Sequence, residues 1–136
     1  FSPRIAAGAV YFGQREKNMS DTDKKAVEAV VQAYVQGTIE RDVTILRTAF
    51  HENAVMSGYL GPNKLIGSTQ PFYDHLEANE HGPGYSSTIS GIEVTGHTAK
   101  ARLMEENLYG MNFVNDFHLL NDDGSWKIVS KLFHHD

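Results

Sequence analysis

The stretch Phe117-His118-Leu119-Leu120-Asn121-Asp122-Asp123-Gly124-Ser125-Trp126-Lys127-Ile128-Val129 decides the fold. Two apolar-rich runs flank Asp122-Asp123-Gly124, whose residue types suit the left-handed backbone of a tight hairpin turn. Moving back toward the N-terminus, further apolar runs starting at Tyr85 are divided by turn signals at Gly91, Gly96-His97 and Gly110. Moving forward, the last run continues to His135. The segment from Tyr85 to His135 therefore predicts an antiparallel meander.

Upstream of it the periodicity changes. Ser20-Asp21-Thr22-Asp23 has the hydroxyl-then-acid spacing that opens helices, and Val27, Val30, Val31, Tyr34 and Thr38 then recur at intervals of three and four. Lys24, Lys25, Glu28 and Gln32 take the opposite, wet side, and Gly37 lies near the end. Asp42 can cap a second, short helix with Val43, Leu46 and Phe50 on one side. His51 to Leu60 reads as a loop entering a strand, closed by Gly61-Pro62-Asn63. Thr69 ahead of Pro71 starts a third helix carrying Phe72 and Leu76, stopped by Asn79 and Gly82-Pro83-Gly84. Helices first and strands afterwards is the order of an α+β domain in which one sheet face packs on its helices.

Composition agrees with one folded domain. The 136 residues are 40% hydrophobic and 21% charged, which places the chain among globular proteins and outside disordered or fibrous ones. A net charge of −5 with no concentrated basic stripe argues against nucleic acid as partner. No stretch approaches the roughly 18 apolar residues of a membrane span. With Cys 0, disulfides and thiolate chemistry are excluded, and a reducing, cytoplasmic setting is the expectation. Phe1–Asn18 contains a short, glycine-interrupted apolar run and makes a poor secretion signal. It reads as leader or appended sequence, with Met19 as the natural start and residues 19–136 as the single domain.

Tyr34-Val35-Gln36-Gly37, Ala49-Phe50-His51-Glu52-Asn53-Ala54, Glu106-Asn107-Leu108-Tyr109-Gly110-Met111 and Trp126 to His135 resemble the small bacterial "putative lumazine-binding" branch of the nuclear transport factor 2-like superfamily, near the SnoaL-like cyclases. The resemblance covers about Met19 to Asp136. It implies a cone-shaped (cystatin-like) fold, N-terminal helices packed on a curved antiparallel sheet with a pocket in its mouth. Ketosteroid isomerases share that fold. Laid over this sequence, their oxygen-binding tyrosine falls on Tyr34 and their protonated acid on Asp116. Their proton-moving carboxylate falls on Gly58, which cannot abstract a proton. The resemblance thus implies an oxyanion-binding pair without isomerase chemistry.

From the residues, Asp116 and His118 lie two apart in a predicted strand and so share a face, with Lys131 and His135 on the next strand. If that face lines the cone, Asp116 has a raised pKa and donates to a carbonyl, with His118 as acid or base. The alternative is a structural ion-pair network among the same groups. Tyr34 points its hydroxyl into the pocket or is an ordinary core tyrosine. Met56, Leu60, Phe72 and Phe133 are pocket wall or plain core, and Tyr59 and Tyr109 rim the opening. Seven histidines invite a metal, but His134 and His135 must point to opposite faces and no metal-binding spacing occurs, so neither metal nor cofactor is expected. Phe113, Phe117 and Leu119 project from the face opposite Asp116, an apolar outer surface that predicts a sheet-to-sheet homodimer.

Three functions follow as expectations. The first is a small-molecule binding domain for a planar, mostly apolar ligand, with Tyr34, Asp116 and His118 addressing its polar end and Lys131 and His135 among the further ligand-binding residues. The second is a cofactor-independent cyclase, dehydratase or isomerase using Asp116, His118 and Tyr34. The third is a protein-interaction adaptor working through the outer sheet.

Overall fold

A computed structural model of the chain describes residues 2–136, with side chains from residue 21 onward. Helix α1 (Ser2–Glu40) is followed by α2 (Val43–Ala49), β1 (Phe50–Leu60), β2 (Asn63–Ser68), α3 (Gln70–Ala78), β3 (Ser86–Thr95), β4 (Thr98–Leu108), β5 (Met111–Asp122) and β6 (Ser125–His135). The helix expected from Ser20 is the later part of α1. The backbone is already helical before Ser20, so no helix opens there as expected, and the reading of Phe1–Asn18 lies outside the described side chains.

The six strands form one sheet in the order β2-β1-β6-β5-β4-β3. All neighbours are antiparallel except β1 and β6, which run parallel. A wholly antiparallel sheet was expected, and the sheet is mixed. Only hairpin-linked neighbours must reverse direction, and β1 meets β6 after a long excursion of the chain through four other strands and α3. The meander from β3 to β6 is as the turn signals predict. Asp123 and Gly124 close its last hairpin at φ 52° and 90°, and Tyr109 and Gly110 close the one before at 53° and 72°. Strand β2 carries no sequence signal of its own, because only Leu65 of its six residues is even half-buried, which leaves no alternation to see.

Helix α1 lays Val27, Val31, Tyr34 and Thr38 against the sheet, all fully buried, so the predicted stripe faces the core. Asp42 caps α2, its carboxylate accepting from Thr44 N and Ile45 N. Phe50 is not the last residue of that helix but the first of β1, where it still joins the core.

The parity of β5 is the reverse of the expected one. Phe113, Asn115, Phe117 and Leu119 face the helices, whereas Val114, Asp116, His118 and Leu120 face outward. Phe117 and Leu119 are 0% and 1% exposed. Apolar residues of a one-sided sheet go to the helix-covered face, and that preference overrides any reading from the charged positions between them. The apolar outer surface assigned to Phe113, Phe117 and Leu119 is therefore core.

Two glycines set how closely elements approach. A Cβ on Gly37 would meet Leu46 Cγ at 2.8 Å, so α1 and α2 could not cross as closely with a larger residue there. A Cβ on Gly58 would come within 2.4 Å of the Phe133 carbonyl oxygen and 2.9 Å of its ring. Overpacking of this kind costs roughly 1–3 kcal/mol, more where backbone must move. Gly37→Ala is expected to lower stability by about 1 kcal/mol, because Leu46 can yield and alanine favours the helix, and Gly58→Ala by about 3 kcal/mol. Urea denaturation midpoints measure both, and an unchanged midpoint for Gly58→Ala would contradict the rigid contact.

Candidate functional site

Between α3 and the ends of β1, β4, β5 and β6 lies a cavity of about 240 Å³. Met56, Leu60, Phe72 and Phe133, expected as wall, line it, together with Leu65, Leu108, Met111 and Phe113. His75 of α3 and Tyr109 of the β4–β5 turn sit edge to face, centroids 4.5 Å apart, and also border it. Tyr59, expected beside Tyr109, is instead on the outer face and 57% exposed.

Charge enters this apolar space through two buried side chains, Glu105 (1% exposed) and Lys131 (5% exposed). Both follow from strand parity. Glu105 continues the inward series Ala99, Ala101, Leu103 of β4, and Lys131 alternates with Phe133 on β6. Three donors converge on the Glu105 carboxylate: Tyr85 Oη at 2.6 Å on Oε2, Asn115 Nδ2 at 2.6 Å and Tyr34 Oη at 3.3 Å on Oε1. Lys131 Nζ donates to Tyr34 Oη at 3.0 Å and lies 3.9 Å from the centre of the Phe72 ring. Tyr34, stacked on Phe72 and edge-on to Phe117, thus links the cation to the carboxylate. It stands one layer behind the wall, fully buried, with its hydroxyl committed to these two partners.

Asp116 and His118 are elsewhere. Asp116 lies on the outer face and takes a bidentate pair from Arg102, at 2.7 Å from Nε and 3.0 Å from Nη2. The Arg102 hydrogen bonds hold its carboxyl below the usual range, the opposite of the raised value expected for a pocket acid. His118 is exposed on the same outer face, opposite Lys100 and Ser130. Lys131 projects through the other side of the sheet, so the expected constellation of Asp116, His118 and Lys131 is divided by it. His135 does face inward, against the Phe113 ring at 5.5 Å, but its Nε2 accepts from Gly61 N and it does not line the cavity. His134 points the other way, as adjacent strand residues must.

The position where an isomerase would carry its base explains itself. Gly58 pairs with Phe133 across the parallel β1–β6 ladder, and the Phe133 ring and carbonyl fill the volume a side chain would need. The neighbours that sequence reasoning missed are Glu105, Asn115 and Tyr85. Glu105 carried a usable signal, an acid in the small-and-apolar register of Ala99, Ala101 and Leu103.

Burial pushes the Lys131 ammonium down from 10.5 to about 8, against the opposing pull of Glu105. The unfolded chain keeps that proton up to its ordinary value, so between pH 8 and 10.5 the unfolded state binds more protons and stability rises with pH. Burial first, and Glu105 second, raise the Tyr34 and Tyr85 hydroxyls above 10.0. Above pH 10 the unfolded tyrosines ionise while the native ones do not, and stability falls. Urea unfolding is expected to show a rise on the order of 2 kcal/mol from pH 7 to 10, then a decline. In Lys131→Met the rise disappears and the decline stays. A flat wild-type profile from pH 7 to 10 would mean that Lys131 is not a buried cation.

Comparison with known proteins agrees with this architecture. A nuclear transport factor 2-like protein of unknown function from Shewanella baltica superposes with a TM-score of 0.79 at 30% identity, over 85% of this chain and 94% of that one. One from Methylobacillus flagellatus gives 0.80 at 30% identity, over 85% and 93%. Aldolase FrzH from Cladobotryum sp is 25% identical over 119 residues, 87% of this chain and 95% of that protein. The sequence profile of the family described as putative lumazine-binding matches residues 22–134. With that span matched and the cone of helices and sheet in place, the chain belongs to the putative lumazine-binding family of nuclear transport factor 2-like proteins.

Proposed function

We propose that the protein binds a small, planar, mostly apolar molecule whose polar end carries a carbonyl-type oxygen, seated in the α3–sheet cavity with that oxygen toward Lys131. The observation that carries this reading is the cavity's one-ended polarity. Apart from His75 and the Tyr109 hydroxyl at its border, its walls are apolar and aromatic, and its buried charges are confined to Lys131 and Glu105. Ligand sites typically combine such walls with a few placed polar groups. The polar end is thus Lys131 and Glu105, with Tyr34 behind them, in place of Asp116 and His118. The family description supports a planar ring ligand, and the likeness to an aldolase supports a carbonyl.

The second reading is a cofactor-independent cyclase, dehydratase or isomerase. It is favoured by Glu105, a carboxylate on the cavity wall that could take and return a proton beside the Tyr34 hydroxyl. Lumazine, a planar pteridine with two carbonyl oxygens, is the first probe, alongside any compound released on denaturing the purified protein and identified by mass spectrometry. Lys131→Met is expected to weaken probe binding at least tenfold, or about 1.4 kcal/mol, and Asp116→Asn to leave it unchanged. Equal losses in the two variants would remove the cavity from consideration. Turnover lost in Glu105→Gln with affinity kept would select the enzyme.

A homodimer through the outer sheet face is proposed on different residues from those first expected. Ile66 (75% exposed), Tyr59 (57%) and Leu132 (55%) stand there together across β2, β1 and β6. Leu132→Asp is expected to convert a dimer to a monomer in sedimentation. A wild-type monomer at micromolar concentration would overturn the assembly.

A further inference from the structure

We propose that Lys131 is a nucleophilic amine that forms a reversible imine with an aldehyde or ketone ligand held in the cavity. The inference rests on the carbonyl-binding reading above and adds a covalent bond to it. A lysine retained only to balance charge sits on a carboxylate, as Lys100 does on Glu93 at 3.0 Å at the surface. Among the described residues Lys131 makes no salt bridge. Its one hydrogen bond is to a phenol, Tyr34 Oη, and aromatic rings of Phe72, Tyr34 and Phe133 lie 3.9, 5.1 and 5.6 Å from Nζ. The nearby acid, Glu105, is already held by Tyr34, Tyr85 and Asn115.

The ring faces attract the ammonium, but burial removes its water without supplying a counter-ion in contact, and that loss outweighs the attraction. With the ammonium titrating at about 8, about one amine in ten is neutral at pH 7. Desolvation in a hydrophobic pocket is one of the ways a lysine is made nucleophilic toward a carbonyl. Lys131 lines the cavity and its Nζ lies 3.9 Å from the ring centre of Phe72, another wall residue, which puts the amine within reach of a ligand there.

The step balances with groups already present. The ammonium proton passes to Glu105 through the Tyr34 hydroxyl, which bonds to both at 3.0 and 3.3 Å. The neutral nitrogen attacks the carbonyl carbon, the C=O π pair goes to oxygen, and a nitrogen proton moves to that oxygen to give a carbinolamine. Return of the stored proton expels the hydroxyl as water and leaves an iminium, R–NH⁺=CR′₂. No oxidant, reductant or metal is consumed, and water reverses the sequence.

The test uses the full chain, 2-naphthaldehyde and sodium cyanoborohydride at pH 7, with peptide mapping by mass spectrometry. The reductant fixes the iminium as a secondary amine by adding hydride to carbon. Lys131 is expected to be alkylated at least tenfold faster than the exposed Lys64 and Lys100, and the Lys131→Met chain to show only the surface background. Tyr34→Phe is expected to slow labelling of Lys131 while circular dichroism shows the fold retained. 2-Naphthalenemethanol, with the same rings and no carbonyl, is expected to bind and to protect Lys131. If the alcohol binds but Lys131 is labelled no faster than Lys64, the imine is overturned and the ligand site stands. If the alcohol does not bind and Lys131 is not labelled preferentially, both fall together.

Discussion

A strand offers its side chains to two faces in turn, and this sheet has helices to cover only one of them. Nearly everything in the molecule follows from that alternation. The covered face takes Phe117, Leu119, Ala101, Leu103 and Ile128 against Tyr34, Val27 and Val31 of α1, and the free face takes Arg102, Asp116, His118 and Lys100. The same rule forces two charges inward, because Glu105 and Lys131 occupy inward positions of β4 and β6. A shift of either strand by one residue would exchange the faces completely.

Burying both a carboxylate and an ammonium is expensive unless each is satisfied, and the structure meets this unevenly. Glu105 has three donors drawn from α1, β5 and the segment before β3. Lys131 has one hydroxyl and aromatic faces. Both groups line the cavity, and the less satisfied of the two, Lys131, is the one whose position an incoming oxygen or carbon would improve. Tyr34 joins the two by a single hydroxyl, so the helix that makes the core also holds the polar end of the cavity in place.

Much of the architecture was legible in the sequence because it depends on local signals. Asp123-Gly124 marks a turn by backbone conformation, Asp42 caps by hydrogen bonding, and Val27, Val31, Tyr34 and Thr38 mark a helix face by spacing. The parallel β1–β6 pairing was not legible, since no local signal encodes the partner of a strand separated from it by most of the domain. The site was partly legible. Met56, Leu60, Phe72, Lys131 and Phe133, expected there from the sequence, line the cavity. Asp116 and His118 take the interior only if the isomerase overlay is followed, whereas Phe113, Phe117 and Leu119, in the alternate register, are the residues that water expels. Glu105 was overlooked for the complementary reason, an acid hidden in an otherwise apolar series.

The close approach of β1 to β6 at Gly58 also bears on how relatives of this fold can diverge. Because the obstacle is the Phe133 carbonyl as well as its ring, trimming Phe133 to a smaller residue would free only part of the space. A carboxylate at this point therefore requires the two strands to part, not a single codon change. Lineages that keep the tight ladder are committed to finding their reactive group on another strand, and in this chain the inward side of β6 has one to offer.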